Sequence, residues 1–223
     1  MRYCRVLMIA VLLTIVGRTQ ADNLRVENVS LCAGQTKEVA IVLQNSSKKY
    51  EAFQFDMVLP EGITIAKDAQ GNFISNLNKE RIVDHSLGIT DYGTGKYRFL
   101  SYSMSDAGFV GTDGVLLYFT LEASENISVG TKSIAIKSQV FTDIDGEVSK
   151  WDDISFKVTI IEVIPGDANG DKKVDAEDIV TITDYLVGKS PENFSIENAD
   201  VNLDGVINIT DIIQIVNLIL NKE

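Results

Sequence analysis

Apolar and polar side chains alternate through the first two thirds of the chain. The period-two pattern is clearest at residues 39–43 and 53–59, where every second side chain is apolar. Further runs rich in apolar residues lie at 96–104, 114–122, 132–137 and 154–163, with Gly, Asn, Asp and Ser between them. Alternation places one face of a strand in the core and the other in solvent. We therefore predict that residues 22–164 form a β-sandwich of about eight or nine strands with Greek-key or jelly-roll connections.

The last quarter of the chain changes to the period of a helix. Two segments carry apolar residues at i, i+3 and i+7, the spacing of one helical face. These residues are Ile179, Ile182 and Leu186 in the first segment and Ile212, Ile215 and Ile219 in the second. An offset of 33 residues maps the first segment onto the second, which indicates an internal duplication. Since one half cannot bury its apolar face alone, we predict that the two halves pack together.

A twelve-residue window rich in oxygen-bearing side chains precedes each helical segment. In the first window, positions 1, 3, 5, 7, 9 and 12 are Asp167, Asn169, Asp171, Lys173, Asp175 and Asp178. In the second window they are Asp200, Asn202, Asp204, Val206, Asn208 and Asp211. Calcium takes oxygen ligands, and a loop of this spacing supplies five side chains and the backbone carbonyl of position 7. The pattern predicts two calcium ions, one per loop; the alternative is a pair of solvated acidic turns.

The two windows depart from the standard EF-hand loop in three ways. Position 12 is Asp rather than Glu, position 6 of the first loop is Lys172 rather than Gly, and residues 156–165 resemble a strand, not an entering helix. A duplicated calcium loop without its entering helix is found in dockerins, and residues 166–221 closely resemble a type I dockerin. The resemblance implies a module that plugs bacterial proteins into cellulosome-type assemblies and binds a cohesin-type partner.

The resemblance also implies that the partner surface lies on the helices after the calcium loops. Positions 10 and 11, the usual specificity pair of the family, are Ala176-Glu177 and Ile209-Thr210. They differ from the frequent Ser-Thr pair and between the repeats, which weakens the case for standard specificity and for symmetric binding in two modes. Apolar residues off the core stripe extend the candidate surface, although packing against the sandwich explains them equally well: Val180, Val187, Ile213, Val216 and Leu220.

The sandwich itself resembles a cohesin module. Residues 23–30, 34–43 and 52–63 are similar to the opening cohesin strands, and 114–121 and 131–146 to the closing ones. This resemblance implies a second binding module with its own protein-binding face. The features are shared with carbohydrate-binding modules, so a sugar-binding sandwich stays open as an alternative. The aromatic rings available for stacking on a sugar are Tyr92, Tyr97, Phe99, Tyr102, Phe109, Tyr118 and Trp151.

The N-terminal segment has the pattern of a signal peptide. Arg2 and Arg5 precede an apolar run at residues 6–16, and Ala21 offers a small residue for cleavage. The run is too short for a membrane span. We therefore expect residues 1–21 to be removed on export, with the mature chain extracellular, at the cell surface or periplasmic. The predicted domains are the sandwich at 22–164 and the dockerin at 165–223, joined almost without a linker at Pro165-Gly166.

Composition excludes several classes of partner and reaction. The formal net charge is −12 without a basic patch, which argues against nucleic acid and anionic membranes as partners. Cys32 is the only cysteine after the signal peptide, and the lone histidine, His85, is interpreted as a surface residue. No HExxH, GxSxG, phosphate-loop or dinucleotide-binding motif is present. The sequence therefore predicts a non-catalytic chain.

These observations predict a secreted, calcium-binding assembly or adhesion protein linked to polysaccharide degradation. The dockerin docks onto a cohesin-type module, and the sandwich is a second binding module. A second copy of the chain is an alternative partner, since head-to-tail contacts between copies grow into open chains. The competing functions are a carbohydrate-binding protein and, more weakly, a glycoside hydrolase accessory subunit or an unrecognised hydrolase.

Overall fold

The computed structural model of the protein describes residues 21–221. The chain divides into two compact units of discontinuous sequence. The first unit contains the chain up to Asn28 together with Glu38–Leu121 and Ser133–Lys157. The second contains Val29–Lys37, Glu122–Lys132 and the chain from Val158 onward. The domain limits at 164 and 165 stay predictions, and the signal peptide, apart from Ala21, lies outside the described residues.

Twelve strands and three helices are present in residues 21–221. The strands are β1 (Asn23–Val26), β2 (Val29–Cys32), β3 (Thr36–Gln44), β4 (Tyr50–Val58), β5 (Ile63–Ile65), β6 (Ser75–Leu77), β7 (Ser86–Asp91), β8 (Lys96–Tyr102), β9 (Asp113–Ala123), β10 (Gly130–Asp143), β11 (Val148–Trp151) and β12 (Ile154–Ile161). The helices are α1 (Ala176–Leu186), α2 (Ile196–Ala199) and α3 (Ile209–Leu220). The strand number exceeds the prediction because β5, β6 and β11 have only three or four residues each, too few to show a period. In the part of the chain described here, no helix has the length and apolar character needed to cross a membrane.

The strands form two sheets, which confirms the predicted β-sandwich. One sheet has the order β1-β3-β9-β5, with β6 also paired to β9. The other has the order β2-β12-β10-β4-β8-β7, with β11 also paired to β10. In the first unit the sheets meet through Phe99 of β8 and Phe119 of β9, whose rings pack edge to face at 5.9 Å. Both rings are fully buried, so this contact lies in the core.

Several of the rings considered for sugar stacking lie instead in the core of the first unit. Tyr97, Phe99 and Phe109 are buried. Phe99 stacks on Phe55 at 5.0 Å. The prediction of a surface histidine is wrong: His85 is buried and its ring stacks on Phe109 at 4.2 Å. Burying an apolar side chain of this size contributes about 1.5–3 kcal/mol, which explains why these rings are used for the core.

The second unit contains the repeat predicted from the helical period. Ile182 of α1 and Ile215 of α3 are fully buried in a core with Ala168, Val174 and Ala199. Ile179, Ile212 and Ile219 pack around this core as predicted. Leu186 does not, since it is 42% exposed. The last turn of α1 reaches the core through Tyr185 instead. The Tyr185 ring stacks at 4.3 Å on Phe194, which packs against the core.

The second unit also contains β2, the strand that ends at Cys32. Within it β2 pairs in parallel with β12, from Val29 opposite Val158 to Cys32 opposite Ile161. Cys32 is buried, as the prediction of a small core residue requires. Burial raises the pKa of its thiol, and the negative charge of Glu197 raises it further. This thiol is therefore held in its neutral form.

Candidate metal centre

The two predicted calcium loops end in helix caps. Asp175 is the N-cap of α1 and accepts a backbone hydrogen bond at 2.9 Å, while Asp178 accepts the Asp175 N–H at 2.8 Å. Asn208 and Asp211 form the same capping box on α3, with distances of 2.7 and 2.9 Å. Asp and Asn are favoured caps because their oxygens satisfy N–H groups that the helix leaves free. The helix starts therefore fix positions 9 and 12 of both loops.

Backbone N–H groups of each loop donate hydrogen bonds to the carboxylates at positions 1 and 5. In the first loop, Lys172 N–H donates to Asp167 Oδ2 at 3.0 Å and Lys173 N–H donates to Asp171 Oδ1 at 2.8 Å. The equivalent bonds of the second loop run from Gly205 to Asp200 Oδ2 at 2.9 Å and from Val206 to Asp204 Oδ1 at 2.8 Å. The duplication seen in the sequence is thus repeated in these two hydrogen bonds, and each loop wraps around its own carboxylates.

Positions 4 and 6 of both loops adopt the left-handed backbone conformation. The φ angles are 74° at Gly170 and 69° at Lys172 in the first loop, and 58° at Leu203 and 81° at Gly205 in the second. A non-glycine residue in this region carries a cost of about 1–2 kcal/mol. Lys172, which departs from the expected glycine, therefore keeps the loop geometry at the expense of local strain. Leu203 carries the same strain in the other loop.

One oxygen of the first loop has the property expected of a metal ligand. Asp167 is 1% exposed, and its Oδ1 atom has no hydrogen-bond donor among the described residues. A buried carboxylate oxygen without a donor is costly, and a bound cation removes that cost. Burial raises the pKa of the neighbouring Asp178, and the charges of Asp167 and Asp175 raise it further, against two backbone hydrogen bonds that lower it. The residues of this loop therefore fit a calcium ion.

The predicted ligands do not form a ready-made cluster of acidic side chains. Within residues 21–221 no group of three or more His, Cys, Asp or Glu side chains is arranged to hold a metal. The predicted ligand set draws in addition on three Asn side chains and on the backbone carbonyls of Lys173 and Val206. The side chain of Asn202, at position 3, contacts the one at position 5, since its amide group donates a hydrogen bond to Asp204 Oδ2 at 2.8 Å. The twelve ligand positions stay predictions.

Asn198 positions the first loop and was missed by the sequence analysis. Its side-chain amide donates to the Asp167 carbonyl at 2.8 Å, and its Oδ1 accepts the Ile164 N–H at 3.0 Å. Its backbone carbonyl accepts the Gly166 N–H at 2.7 Å. Asn198 is 7% exposed, so these bonds are shielded from water. No sequence signal marks it, because it is a polar residue in a four-residue helix outside both loops.

The candidate partner residues lie mostly on the surface, and their role in docking stays a prediction. Eight are exposed and Val216 is half-buried. The exposed residues are Ala176, Glu177, Val180, Val187, Ile209, Thr210, Ile213 and Leu220. On α3 the aliphatic members stand at i, i+4, i+7 and i+11, which places them along one helical face. Thr183 interrupts the equivalent stripe on α1. We name the α3 set, Ile209, Ile213, Val216 and Leu220, the α3 stripe.

Comparisons with known proteins give a family match for the C-terminal segment and a fold for the β-sandwich. The family described as "Dockerin type I domain" matches residues 165–220, so this segment is a type I dockerin domain. A search of the curated proteins found no match. Among solved structures, the sixth cohesin of scaffoldin B from Acetivibrio cellulolyticus, in complex with a Cel5 dockerin, is similar at a TM-score of 0.54 and 16% identity. That similarity covers 64% of this chain and 100% of the other.

Two further structures agree with the first. The Coh-OlpA-Doc918 complex from Clostridium thermocellum has a TM-score of 0.53 and 17% identity, and covers 64% of this chain and 100% of that chain. The seventh ScaB type I cohesin of Pseudobacteroides cellulosolvens has a TM-score of 0.52 and 13% identity, with 64% and 94% covered. At these identities the similarity shows the fold. The β-sandwich therefore has the cohesin fold.

Proposed function

We propose that this chain is a non-catalytic, calcium-dependent assembly or adhesion protein linked to polysaccharide degradation. Its dockerin docks onto a cohesin-type module, and its cohesin-like sandwich is a second binding module. The observation that carries the proposal is the exposed α3 stripe on a type I dockerin domain. Support also comes from similar solved structures in which a cohesin is bound to a dockerin.

Calcium has a structural role in this proposal. The first ion is held by Asp167, Asn169, Asp171, Asp175, Asp178 and the carbonyl of Lys173, and the second by the equivalent residues of the other loop. The unpartnered Oδ1 of Asp167 supports the assignment for the first loop. Because the module has a small core, the free energy of metal binding becomes folding free energy. The capping boxes link each loop to the helix that carries the candidate partner residues.

The two repeats contribute unequally to docking. The α3 stripe is entirely aliphatic, and Ile209 and Ile213 are 63% and 55% exposed. On α1 the equivalent face begins with Ala176-Glu177 and contains Thr183, so it offers less apolar area and an added charge. Buried aliphatic area at an interface supplies affinity, whereas a desolvated charge opposes it. We therefore assign the dominant docking surface to the second repeat.

Export completes the proposal. Cleavage after Ala21 leaves Asp22 as the first residue of the mature chain. Asp22 belongs to the sandwich, since its carboxylate accepts the Ser47 N–H at 2.9 Å and the Tyr50 hydroxyl at 3.0 Å. Cleavage after Ala21 therefore keeps the contacts of Asp22 and removes one exposed hydrogen bond, which the Asn23 side-chain amide donates to the Ala21 carbonyl at 2.8 Å. N-terminal sequencing of the secreted protein is expected to begin at Asp22, and a start inside the sandwich would contradict the assignment.

Binding to purified cohesins tests the docking function. The mature chain, residues 22–223, is titrated by calorimetry against a panel of type I cohesins that includes the Acetivibrio cellulolyticus and Pseudobacteroides cellulosolvens modules, and is examined alone by sedimentation velocity. Each measurement is made with calcium and with chelator. We expect calcium-dependent binding to at least one cohesin or to a second copy of the chain. Absence of both would overturn the proposal, and a monomer that binds a cohesin would exclude self-assembly.

Matched variants separate the two repeats. Ile213→Asp on α3 and Val180→Asp on α1 change equivalent positions with similar exposure, 55% and 61%. We expect Ile213→Asp to weaken cohesin binding about tenfold or more, as for a central apolar interface residue, and Val180→Asp to have a smaller effect. Equal losses in the two variants would contradict the assignment to the second repeat.

A further inference from the structure

An open groove crosses the five-stranded sheet in the first unit. Asn76 of β6 lies directly opposite Tyr118 of β9 in the antiparallel register, so the two side chains project from the same face. Two cavities, of about 390 and 380 Å³, meet at this pair because Asn76 and Tyr118 line both. We name this surface the Tyr118 groove. Its size is at the lower end of the range for small-ligand sites.

Three polar side chains of the Tyr118 groove are not engaged by the fold. Glu38, Asn76 and Thr120 line it, and their side chains make no hydrogen bond or ion pair with other residues in the range 21–221. Elsewhere in the same cavity, Asp68 is fully engaged, since it accepts three hydrogen bonds from its own turn. The unengaged groups therefore offer acceptors and donors to a ligand at the surface.

The ring of Tyr118 is also available. It is half-buried and contacts no other aromatic ring among the described residues. The second ring of the groove, Phe73, is already occupied: Lys67 Nζ lies 4.7 Å above it and Tyr97 packs on its edge at 5.7 Å. Tyr118 is thus one aromatic surface at the centre of the groove, bordered by free amide, hydroxyl and carboxylate groups.

This combination selects the chemical class of the ligand. A sugar ring has an apolar C–H face that packs on an aromatic ring and a rim of hydroxyl groups that bond to amides and carboxylates. A lipid would leave the polar groups of the groove unpaired. An anionic ligand would meet the three carboxylates of Glu38, Asp68 and Glu80 against two lysines, Lys79 in the lining and Lys67 over the Phe73 ring. We propose that the Tyr118 groove binds a neutral oligosaccharide.

The site is independent of the docking function. The Tyr118 groove belongs to the first unit, whereas the dockerin domain belongs to the second. The inferred activity gives the sandwich a ligand of its own, a polysaccharide segment, alongside the protein partner of the dockerin. Failure of cohesin binding would leave this inference intact, and failure of sugar binding would leave the docking proposal intact.

Calorimetric titration of the mature chain with defined oligosaccharides tests the inference. The probes are cellohexaose and xylohexaose as neutral ligands and trigalacturonate as an anionic one, each at concentrations that reach about 1 mM and above. We expect at least one neutral probe to bind and trigalacturonate not to bind. Absence of binding by both neutral probes, or preferential binding of trigalacturonate, would overturn the inference.

Substitutions at the ring locate the binding. Tyr118→Ala is expected to weaken the neutral probe about tenfold, and Tyr118→Phe, which keeps the ring, to weaken it about threefold or less. Tyr102→Ala is the matched control, since Tyr102 is an exposed ring of β8 outside the groove. Asn76→Ala, at an exposed position, is expected to weaken binding even if Tyr118→Ala fails to fold. Unchanged binding in folded Tyr118→Ala or Asn76→Ala, or an equal loss in Tyr102→Ala, would show that the ligand binds elsewhere.

Discussion

The side-chain amide of Asn198 donates a hydrogen bond at 2.8 Å to the backbone carbonyl of Asp167, the first residue of the first predicted calcium loop. The same side chain holds Ile164 through its oxygen. The segment between strand β12 and the loop is therefore hydrogen-bonded to Asn198, which lies about one repeat later in the chain. This arrangement explains how the first loop keeps its position without the entering helix of an EF-hand.

The bonds of Asn198 predict a large effect for a small substitution. Asn198→Ala leaves the Asp167 carbonyl and the Ile164 N–H without their side-chain partner in a buried setting. We expect it to lower the free energy of unfolding by about 2–3 kcal/mol, the cost of unsatisfied buried polar groups. Urea denaturation in saturating calcium measures the effect. Asn217→Ala, an exposed position on α3, is the matched control and should change stability by less than about 0.5 kcal/mol.

Calcium removal tests the metal assignment. In excess chelator we expect circular dichroism to show loss of the α1 and α3 signal, since the side chains of the capping boxes, Asp175 and Asp178 on α1 and Asn208 and Asp211 on α3, are also predicted ligands. Restoring calcium to about 100 times its dissociation constant should add about 2.7 kcal/mol of stability for each bound ion. Asp167→Ala should abolish this gain for the first repeat, and Asp200→Ala for the second. Unchanged helix content in chelator would refute the structural role of calcium.

The left-handed residues of the loops predict two stabilising substitutions. Lys172 and Leu203 have φ angles of 69° and 58°, which glycine adopts without strain. Lys172→Gly and Leu203→Gly are each expected to raise the free energy of unfolding by about 0.5–1 kcal/mol in calcium, the strain relieved less the extra entropy of an unfolded glycine. Lys173→Gly, outside the left-handed region, should lower stability instead. A loss in all three variants would show that the strain is not significant.

Several features of this fold were predictable because their signals are local. The period-two and helical patterns, the spacing of the loop oxygens and the offset of the repeats all lie within short windows of sequence. The role of Asn198 was not predictable, since it depends on a hydrogen bond to Asp167, 31 residues earlier in the chain. His85 was misjudged for a similar reason: its burial depends on Phe109, which lies on a distant loop. Strand β6, which borders the Tyr118 groove, has three residues and leaves no periodic trace.

The buried histidine gives a pH-dependent prediction that can be assigned to one residue. His85 is the only histidine in the chain, so one imidazole resonance reports its titration. Burial lowers its pKa, against smaller effects of the Asp84 charge and two backbone hydrogen bonds that raise it. Because the folded pKa is below the unfolded one, the unfolded chain binds the proton first as the pH falls. Stability from neutral His85 is complete above the ordinary pKa of 6.5 and is lost as the pH falls through the lowered value.

A comparison with His85→Phe isolates this contribution. Phe keeps an aromatic ring on Phe109 and cannot be protonated, so its stability should not decline through this mechanism between neutral pH and pH 5. We expect the free energy of unfolding of the wild-type chain, measured in urea at fixed calcium, to fall relative to that of His85→Phe over this range. Proton NMR should place the His85 pKa below 6.5. A pKa at or above this value, or parallel stability curves for the two proteins, would mean that the His85 ring is accessible to water in the folded chain, contrary to its stacking on Phe109.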